Sequence, residues 1–160
     1  MKLDYLGGTD FLIDQGEEFY RMNADTELLG RFLRIKHQHR FLEIGCNTGA
    51  ILLYASLRKP KELVGVDLFP EVFELTRENL ERYQVDAQLH ACRIQDYQDK
   101  PFDVIACNPP YFSTSNQNLM NVNQYKMCIR DRSWSLHFLA DFKILNRNTA
   151  NACMYCNCVR

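Results

Sequence analysis

Glycine, asparagine and acidic residues cluster where the first predicted strand of a sheet meets the following helix. The run Glu43-Ile-Gly-Cys-Asn-Thr-Gly49 puts Gly45, Asn47 and Gly49 in a tight turn, and glycine there lets a ligand approach the backbone. The helix after the turn offers free N–H groups to polar ligand atoms. Asp67 ends the next strand, where a carboxylate can accept hydrogen bonds from both ribose hydroxyls. These residues predict a nucleoside site.

Two nucleoside ligands fit such a turn, a dinucleotide and S-adenosylmethionine. A dinucleotide fingerprint needs glycine at three set positions to admit a pyrophosphate, and the carboxylate of Glu43 would repel that group. The same carboxylate suits the cationic methionine end of S-adenosylmethionine, which is therefore the favoured cofactor. Asp96, after the third strand, is predicted to accept a hydrogen bond from the adenine amine of the cofactor.

A second motif, Asn108-Pro-Pro-Tyr111, follows the fourth strand. Pro109 and Pro110 stiffen the loop and leave its carbonyls as acceptors. The side-chain oxygen of Asn108 and the carbonyl of Pro109 can together hold both hydrogens of a planar NH2 group. Tyr111 can stack on the base that carries this group, and Phe112 extends the loop. The motif predicts methyl transfer to a planar amine, with Asn108, Pro109 and Tyr111 as catalytic residues and Pro110, Tyr111 and Phe112 against the substrate.

Strands and helices alternate along the first two thirds of the chain. The strands read as nearly continuous apolar runs, a pattern typical of a parallel sheet with helices on both faces, so the predicted class is α/β. Asp25 is expected to cap the first helix. The apolar patterns predict helices over residues 25–35, 50–59 and 70–83, and strands over 40–45, 62–67, 88–92 and 102–107.

Composition favours a soluble protein without a membrane partner. The chain has 160 residues, of which 46% are hydrophobic and 24% charged, and its formal net charge is −1. No apolar run could span a bilayer and no signal peptide is apparent, so a cytoplasmic location is expected. A nucleic-acid partner would therefore need a local basic patch. The densest candidate comprises Arg31, Arg34, Lys36, His37, His39 and Arg40, which can equally be the solvated end of a helix.

The seven cysteines do not predict a metal site. Cys46, Cys92 and Cys107 lie singly in apolar surroundings and should behave as small hydrophobic residues. A terminal cluster of Cys153, Cys156 and Cys158 would need Cys128 or His137 as a fourth zinc ligand, at an unusual spacing.

Together these motifs resemble the class I, Rossmann-like methyltransferases that modify planar amine or amide nitrogens. The segment from Phe19 to Leu29 and the run from Ile44 to Ser56 are similar to the bacterial enzymes that N6-methylate the adenine beside the anticodon of a valine tRNA. The resemblance covers about residues 5 to 115. It implies tRNA as the partner, cofactor contacts from Glu43, Gly45, Asp67 and Asp96, and base handling by Asn108, Pro109 and Tyr111. Asn47, Gly49 and Asn108 join the expected cofactor contacts, and Asp25 and Thr26 are expected to help close the pocket.

The resemblance ends near Tyr125. We therefore expect a partial methyltransferase domain over residues 1–125 and an unassigned segment over 126–160. The stretch from Lys126 to Ser133 resembles translated sequencing-adapter sequence, and the hypothesis is that residues 126–160 are not the native C-terminus. The sheet would then lack its C-terminal edge and leave the fourth strand exposed.

Three functions remain open at this point. The first is methylation of adenine N6 in tRNA. The second keeps the chemistry but changes the target, to release-factor glutamine or to guanine N2 in ribosomal RNA, because the motif serves any planar NH2. The third is a cofactor- or RNA-binding remnant without turnover.

Overall fold

The computed structural model describes residues 3–19, 21–108 and the backbone of 154–156. Its α-helices are α1 (Ala24–Phe32), α2 (Ala50–Ser56) and α3 (Phe73–Glu81), with short 3-10 turns at Pro70–Val72 and Ile94–Asp96. Its strands are β1 (Leu3–Tyr5), β2 (Leu12–Asp14), β3 (Arg40–Ile44), β4 (Glu62–Asp67), β5 (Gln88–Ala91), β6 (Val104–Cys107) and β7 (Met154–Cys156).

The main sheet is parallel throughout, with the strand order β5-β4-β3-β6-β7. On the central strand, Glu43 pairs with Gly65 of β4 and with Ala106 of β6. Because parallel strands end at the same edge, the residues that follow β3, β4 and β6 come together there. The predicted α/β class and parallel sheet are confirmed.

Alternation along β3 divides the core between the two faces of the sheet. Phe41 belongs to the cluster that includes α2 and α3, while Leu42 and Ile44 belong to the opposite cluster. That second face is covered by Ile94 and Phe102. The sequence predicts helices on both faces, and in the described part of the chain the helices pack on the first.

The N-cap of the first helix lies two residues before the predicted cap. Asn23 is the N-cap of α1, and its side-chain oxygen accepts the N–H of Thr26 at 3.0 Å. The hydroxyl of Thr26 accepts the Asn23 N–H in return at 3.3 Å, which completes a capping box. Asp25 lies inside the first turn, so the expectation that it caps this helix is wrong.

An N-terminal hairpin that the sequence analysis did not predict packs on α3. Strands β1 and β2 pair antiparallel, and two polar side chains of the helix region hold them in place. The amide of Asn79 exchanges hydrogen bonds with the backbone of Asp14, at 2.9 and 2.8 Å. The hydroxyl of Tyr83 does the same with Leu12. The Gly7-Gly8 pair between two apolar runs is the missed signal.

The amino end of β3 is fixed by Arg40. Its guanidinium pairs with the carboxylates of Glu62 and Asp99 and lies 4.4 Å from the centre of the Phe102 ring. It also donates to the carbonyl of Lys100 at 2.6 Å. Arg40 is therefore a structural cation that links three segments of the amino edge.

Backbone residues Met154–Cys156 lie beside β6 as a further parallel strand. Hence β6 is not the edge of the sheet, contrary to the expectation of an exposed fourth strand. No helix among the described residues has the length and apolar character that a membrane crossing requires.

Candidate functional site

The turn after β3 adopts left-handed backbone conformations at three positions. Gly45 has φ 71°, Asn47 has φ 42° and Gly49 has φ 85°. Glycine adopts such angles without strain, and asparagine tolerates them better than most residues. A Cβ added at Gly45 would meet no heavy atom of the described residues within 4 Å. Among the described residues, the turn therefore leaves open space beside the exposed backbone of Gly45.

Two polar side chains of α3 hold the turn from outside. The hydroxyl of Thr76 donates to the carbonyl of Asn47 at 2.6 Å, and the amide of Asn79 donates to the carbonyl of Thr48 at 3.0 Å. Both side chains are fully buried. The sequence analysis did not predict their role, although a threonine and an asparagine on the apolar face of a helix are a signal because buried polar groups need partners.

Asp67, at the end of β4, is hydrogen-bonded to the same turn. One carboxylate oxygen accepts the Asn47 N–H at 2.9 Å and the other accepts the Phe69 N–H at 3.0 Å. The structure thus brings Asp67 and the glycine-rich turn together.

Glu43 lies buried behind the turn. The Leu52 N–H at the start of α2 hydrogen-bonds to its carboxylate, while Oε2 has no hydrogen-bond partner among the described residues. Burial raises the pKa of Glu43 well above its ordinary value, and the nearby charge of Asp67 raises it further. A buried carboxylate oxygen in this position has a strong need for a donor or a cation.

Asn108 follows β6 at the same edge of the sheet and contacts α1. Its side-chain nitrogen donates to the hydroxyl of Thr26 at 3.0 Å. That hydroxyl also accepts the Asn23 N–H and donates to the Asn23 side-chain oxygen at 3.2 Å, so the capping box is joined to the end of β6. Sequence analysis predicted both Thr26 and Asn108 at the site but not their contact.

The remaining predicted site residues are Asp25, Asp96 and the four residues that follow Asn108. Asp25 is half-buried in the first turn of α1, and Asp96 is exposed at the end of the 3-10 turn that follows β5. The four predicted residues Pro109, Pro110, Tyr111 and Phe112 lie outside the described residues.

The described residues contain no group of three or more histidine, cysteine or acidic side chains that could hold a metal ion. Within them, Cys46, Cys92 and Cys107 are not joined in disulfide bonds. Burial raises the pKa of Cys46, and the charges of Glu43 and Asp67 raise it further. The zinc alternative involving Cys128, His137, Cys153, Cys156 and Cys158 falls outside the residues whose side chains are described.

A comparison with protein-family models agrees with what the sheet, the glycine-rich turn and the acids Glu43 and Asp67 indicate. The chain matches the model of the methyltransferase small domain over residues 19–128 and belongs to that family.

Two relatives of established name share sequence with this chain. It is 31% identical, over 110 residues, to the tRNA1(Val) (adenine(37)-N6)-methyltransferase of a Flavobacteriaceae bacterium, covering 66% of this chain and 47% of that protein. It is 34% identical, over 89 residues, to the release factor glutamine methyltransferase of Haemophilus influenzae, covering 50% of this chain and 30% of that protein. The chain thus spans about half the length of the first relative and less than a third of the second.

The fold is also found in a solved structure. The tRNA (uracil-54, C5)-methyltransferase of Pyrococcus abyssi, in complex with S-adenosyl-L-homocysteine, matches with a TM-score of 0.55 and 21% identity. The match covers 82% of this chain and 32% of that one, and it supports the Rossmann-like class I methyltransferase fold.

Proposed function

We propose that this chain carries the cofactor site and the amine-holding residue of an S-adenosylmethionine-dependent N-methyltransferase. The proposed target is the N6 amine of adenine in tRNA, at the position beside the anticodon of a valine tRNA. The observation that carries the proposal is that the turn after β3, Asp67 at the end of β4 and Asn108 after β6 lie at one edge of three adjacent strands.

The residues present fit the proposed cofactor. The buried Oε2 of Glu43 lacks a partner among the described residues, which suits a site for a cationic ligand. Gly45 leaves the space that a close ligand would take, and Asp67 is the proposed acceptor for ribose hydroxyls. Asp96 is the proposed partner of the adenine amine, and Asp25 and Thr26 would help to close the pocket. When bound, S-adenosylmethionine supplies an electrophilic methyl group on a positively charged sulfur.

Asn108 is the proposed holder of the target amine. Its nitrogen donates to Thr26, which orients the amide, and its side-chain oxygen is the proposed acceptor for the target amine. An oxygen that accepts one N–H of a flat amine orients its nitrogen and limits delocalisation of the lone pair into the ring. The amine can lose its proton after transfer, so no general base is needed beforehand.

The sequence supplies the remaining parts of the proposed substrate site. The carbonyl of Pro109 would accept the second amine hydrogen, and Tyr111 would stack on the base, a contact worth about 1–3 kcal/mol. Pro110 and Phe112 would complete the loop.

The choice of adenine in tRNA is supported by the similarity to the tRNA1(Val) (adenine(37)-N6)-methyltransferase. A base in an anticodon loop is easily splayed out, so presenting it to a pocket requires little free energy. The similarity to a release factor glutamine methyltransferase supports a second candidate target, because a glutamine amide is also a planar NH2 group.

Transfer of labelled methyl to unmodified valine tRNA tests the proposal directly. We expect the wild type to label this tRNA and Asn108→Ala to lose at least about a hundredfold in rate, since a positioned hydrogen-bond acceptor is removed. Asn108→Asp keeps an acceptor oxygen and should retain more activity than the alanine variant. Near-normal turnover of Asn108→Ala would contradict the assigned role.

Mass spectrometry of a deletion strain separates the candidate targets. Loss of N6-methyladenosine from tRNA, with release factor and ribosomal RNA methylation intact, would support the tRNA target. Retention of N6-methyladenosine together with loss of release-factor glutamine methylation would favour the second candidate.

A further inference from the structure

Five exposed cations form what we call the basic face: Arg34, Lys36, Arg58, Lys59 and Lys61. They lie on the two segments that precede β3 and β4. Since both strands run in the same direction, these segments meet at the amino edge of the sheet, opposite the candidate site. The sequence patch that includes Arg34 and Lys36 is thus extended by three cations from another segment.

Hydrogen bonds to backbone carbonyls hold the two segments together. The Lys61 N–H donates to the carbonyl of His39 at 2.9 Å. A ring nitrogen of His37 lies 2.6 Å from the carbonyl of Lys59. Within the first segment, the His39 N–H donates to the carbonyl of Lys36 at 3.0 Å. The cations therefore extend from a backbone that is already fixed.

Charge pairing within the protein does not account for the basic face. Among the residues that the structure describes, Arg21, Arg31 and Arg40 form ion pairs with carboxylates, and none of the five cations of the basic face does. Between Leu33 and Lys61 the sequence has a single acid, Glu43, which is buried, and the nearby acids Glu62 and Asp99 at the amino edge are paired with Arg40. The positive charge of this face is consequently left to solvent or to a partner.

Stabilisation of the helix dipoles does not account for the basic face either. The last turn of α2 contains no basic residue, and Arg58, Lys59 and Lys61 all follow its end. In α1 the basic residue of the last turn is Arg31, which is paired with Glu27 and is not part of the basic face. Cations placed only to stabilise a helix dipole would lie within the last turn.

We propose that the basic face binds the phosphate backbone of the same RNA whose target base enters the candidate site. The formal net charge of the chain is −1, so the chain as a whole does not attract a polyanion. Electrostatic attraction would therefore act at this local concentration of positive charge. The strands separate the two edges by about 20 Å, from their length and the rise per residue. A folded RNA is long enough to reach both. The inference rests on the proposed function for the identity of the RNA.

The test compares two double variants that remove the same charge. Arg34→Gln/Arg58→Gln removes two arginines of the basic face, and the control Arg77→Gln/Arg82→Gln removes two exposed arginines on α3 and at its end. Binding of an unmodified valine tRNA transcript to the full chain is measured by fluorescence anisotropy over a range of salt concentrations. Circular dichroism establishes that each variant is folded.

We expect the Kd for tRNA to rise at least about tenfold in the basic-face variant and less than about twofold in the control. The slope of log K against log salt should fall in magnitude by about two, because each lost phosphate contact removes about one counterion. The KM for tRNA should rise in the transfer assay while kcat stays unchanged, since uniform binding is lost.

Equal effects of the two double variants, or no effect of either, would overturn the inference. Binding of the wild type to phosphatidylserine vesicles through these arginines, without binding to tRNA, would also overturn it. If the wild type binds tRNA through the basic face but transfers no methyl group to it, the inference stands and the proposed function fails.

Discussion

The side-chain nitrogen of Asn108 donates to the hydroxyl of Thr26 at 3.0 Å, across 82 positions of the sequence. This contact joins the end of β6 to the capping box that starts α1. Because the hydroxyl of Thr26 also makes two hydrogen bonds to Asn23, its position does not depend on Asn108 alone. Thr26 is therefore a positioning residue for the amide that we assign to the target amine.

Thr26→Ala should lower both stability and turnover. The change leaves two donors without their acceptor, which should reduce the free energy of unfolding by about 1–3 kcal/mol. It should also lower kcat roughly tenfold or more, with little change in KM for tRNA, because Asn108 is no longer held in position. Urea denaturation and steady-state transfer assays measure the two effects. Thr26→Ser retains the hydroxyl and should restore both, and a serine variant as defective as alanine would argue against this role.

The start of α1 provides a direct comparison of two possible cap residues. Asn23→Ala should reduce the free energy of unfolding by about 1 kcal/mol through loss of the cap. Asp25→Ala should lose only its favourable charge in the first turn, about 0.3 kcal/mol. Urea denaturation under identical conditions measures both, and Asn23→Ser should stay close to the wild type. A larger loss of stability in Asp25→Ala than in Asn23→Ala would show that Asp25 is the cap.

Gly45 can be tested against a glycine of the same backbone conformation. Gly45 has φ 71° and Gly8 has φ 73°, and an added Cβ at Gly8 makes contacts no closer than 3.5 Å. Alanine at either position should therefore cost about 1–2 kcal/mol of strain. Only Gly45→Ala fills the space beside the turn, so it alone should weaken binding of S-adenosylmethionine, at least about tenfold, in calorimetry. Equal affinities in the two variants would place the cofactor elsewhere.

Glu43 should make the stability of the protein depend on pH. Burial raises the pKa of Glu43 in the folded state, so the folded chain binds its proton more tightly than the unfolded chain. The free energy of unfolding must then fall as pH rises from the ordinary carboxyl value to the raised one. Glu43→Gln removes this loss and should exceed the wild type in stability above that interval, with the two converging below it. Urea denaturation from about pH 4 to about pH 8 measures the difference, and a constant difference across that range would contradict the assignment.

Local patterns were enough to predict four of the five strands of the main sheet, but not β7. Strand β4 has the predicted bounds of Glu62–Asp67, since a continuous apolar run there is bounded by Pro60 and ends in a carboxylate. The alternation of strands with helices likewise predicted that the strands are parallel. The two short strands of the hairpin were missed because three residues each are too few to produce a clear periodicity.

Contacts between segments that are distant in the sequence could not be predicted from local patterns. Asn23 and Asp25 are both good cap residues, and the choice between them depends on where the chain enters the helix. The hydrogen bonds from Thr76 and Asn79 to the turn, and the bond from Asn108 to Thr26, exist only once the sheet has brought their elements together. The roles of Pro109, Pro110, Tyr111 and Phe112 stay predictions.

The two buried side chains of α3 have a further consequence for ligand affinity. Thr76 and Asn79 restrain the carbonyls of Asn47 and Thr48, so the segment that would surround a nucleoside already has its shape in the free protein. A ligand that binds to such a preformed segment does not lose free energy in ordering a flexible loop. More of its interaction free energy can then appear as affinity.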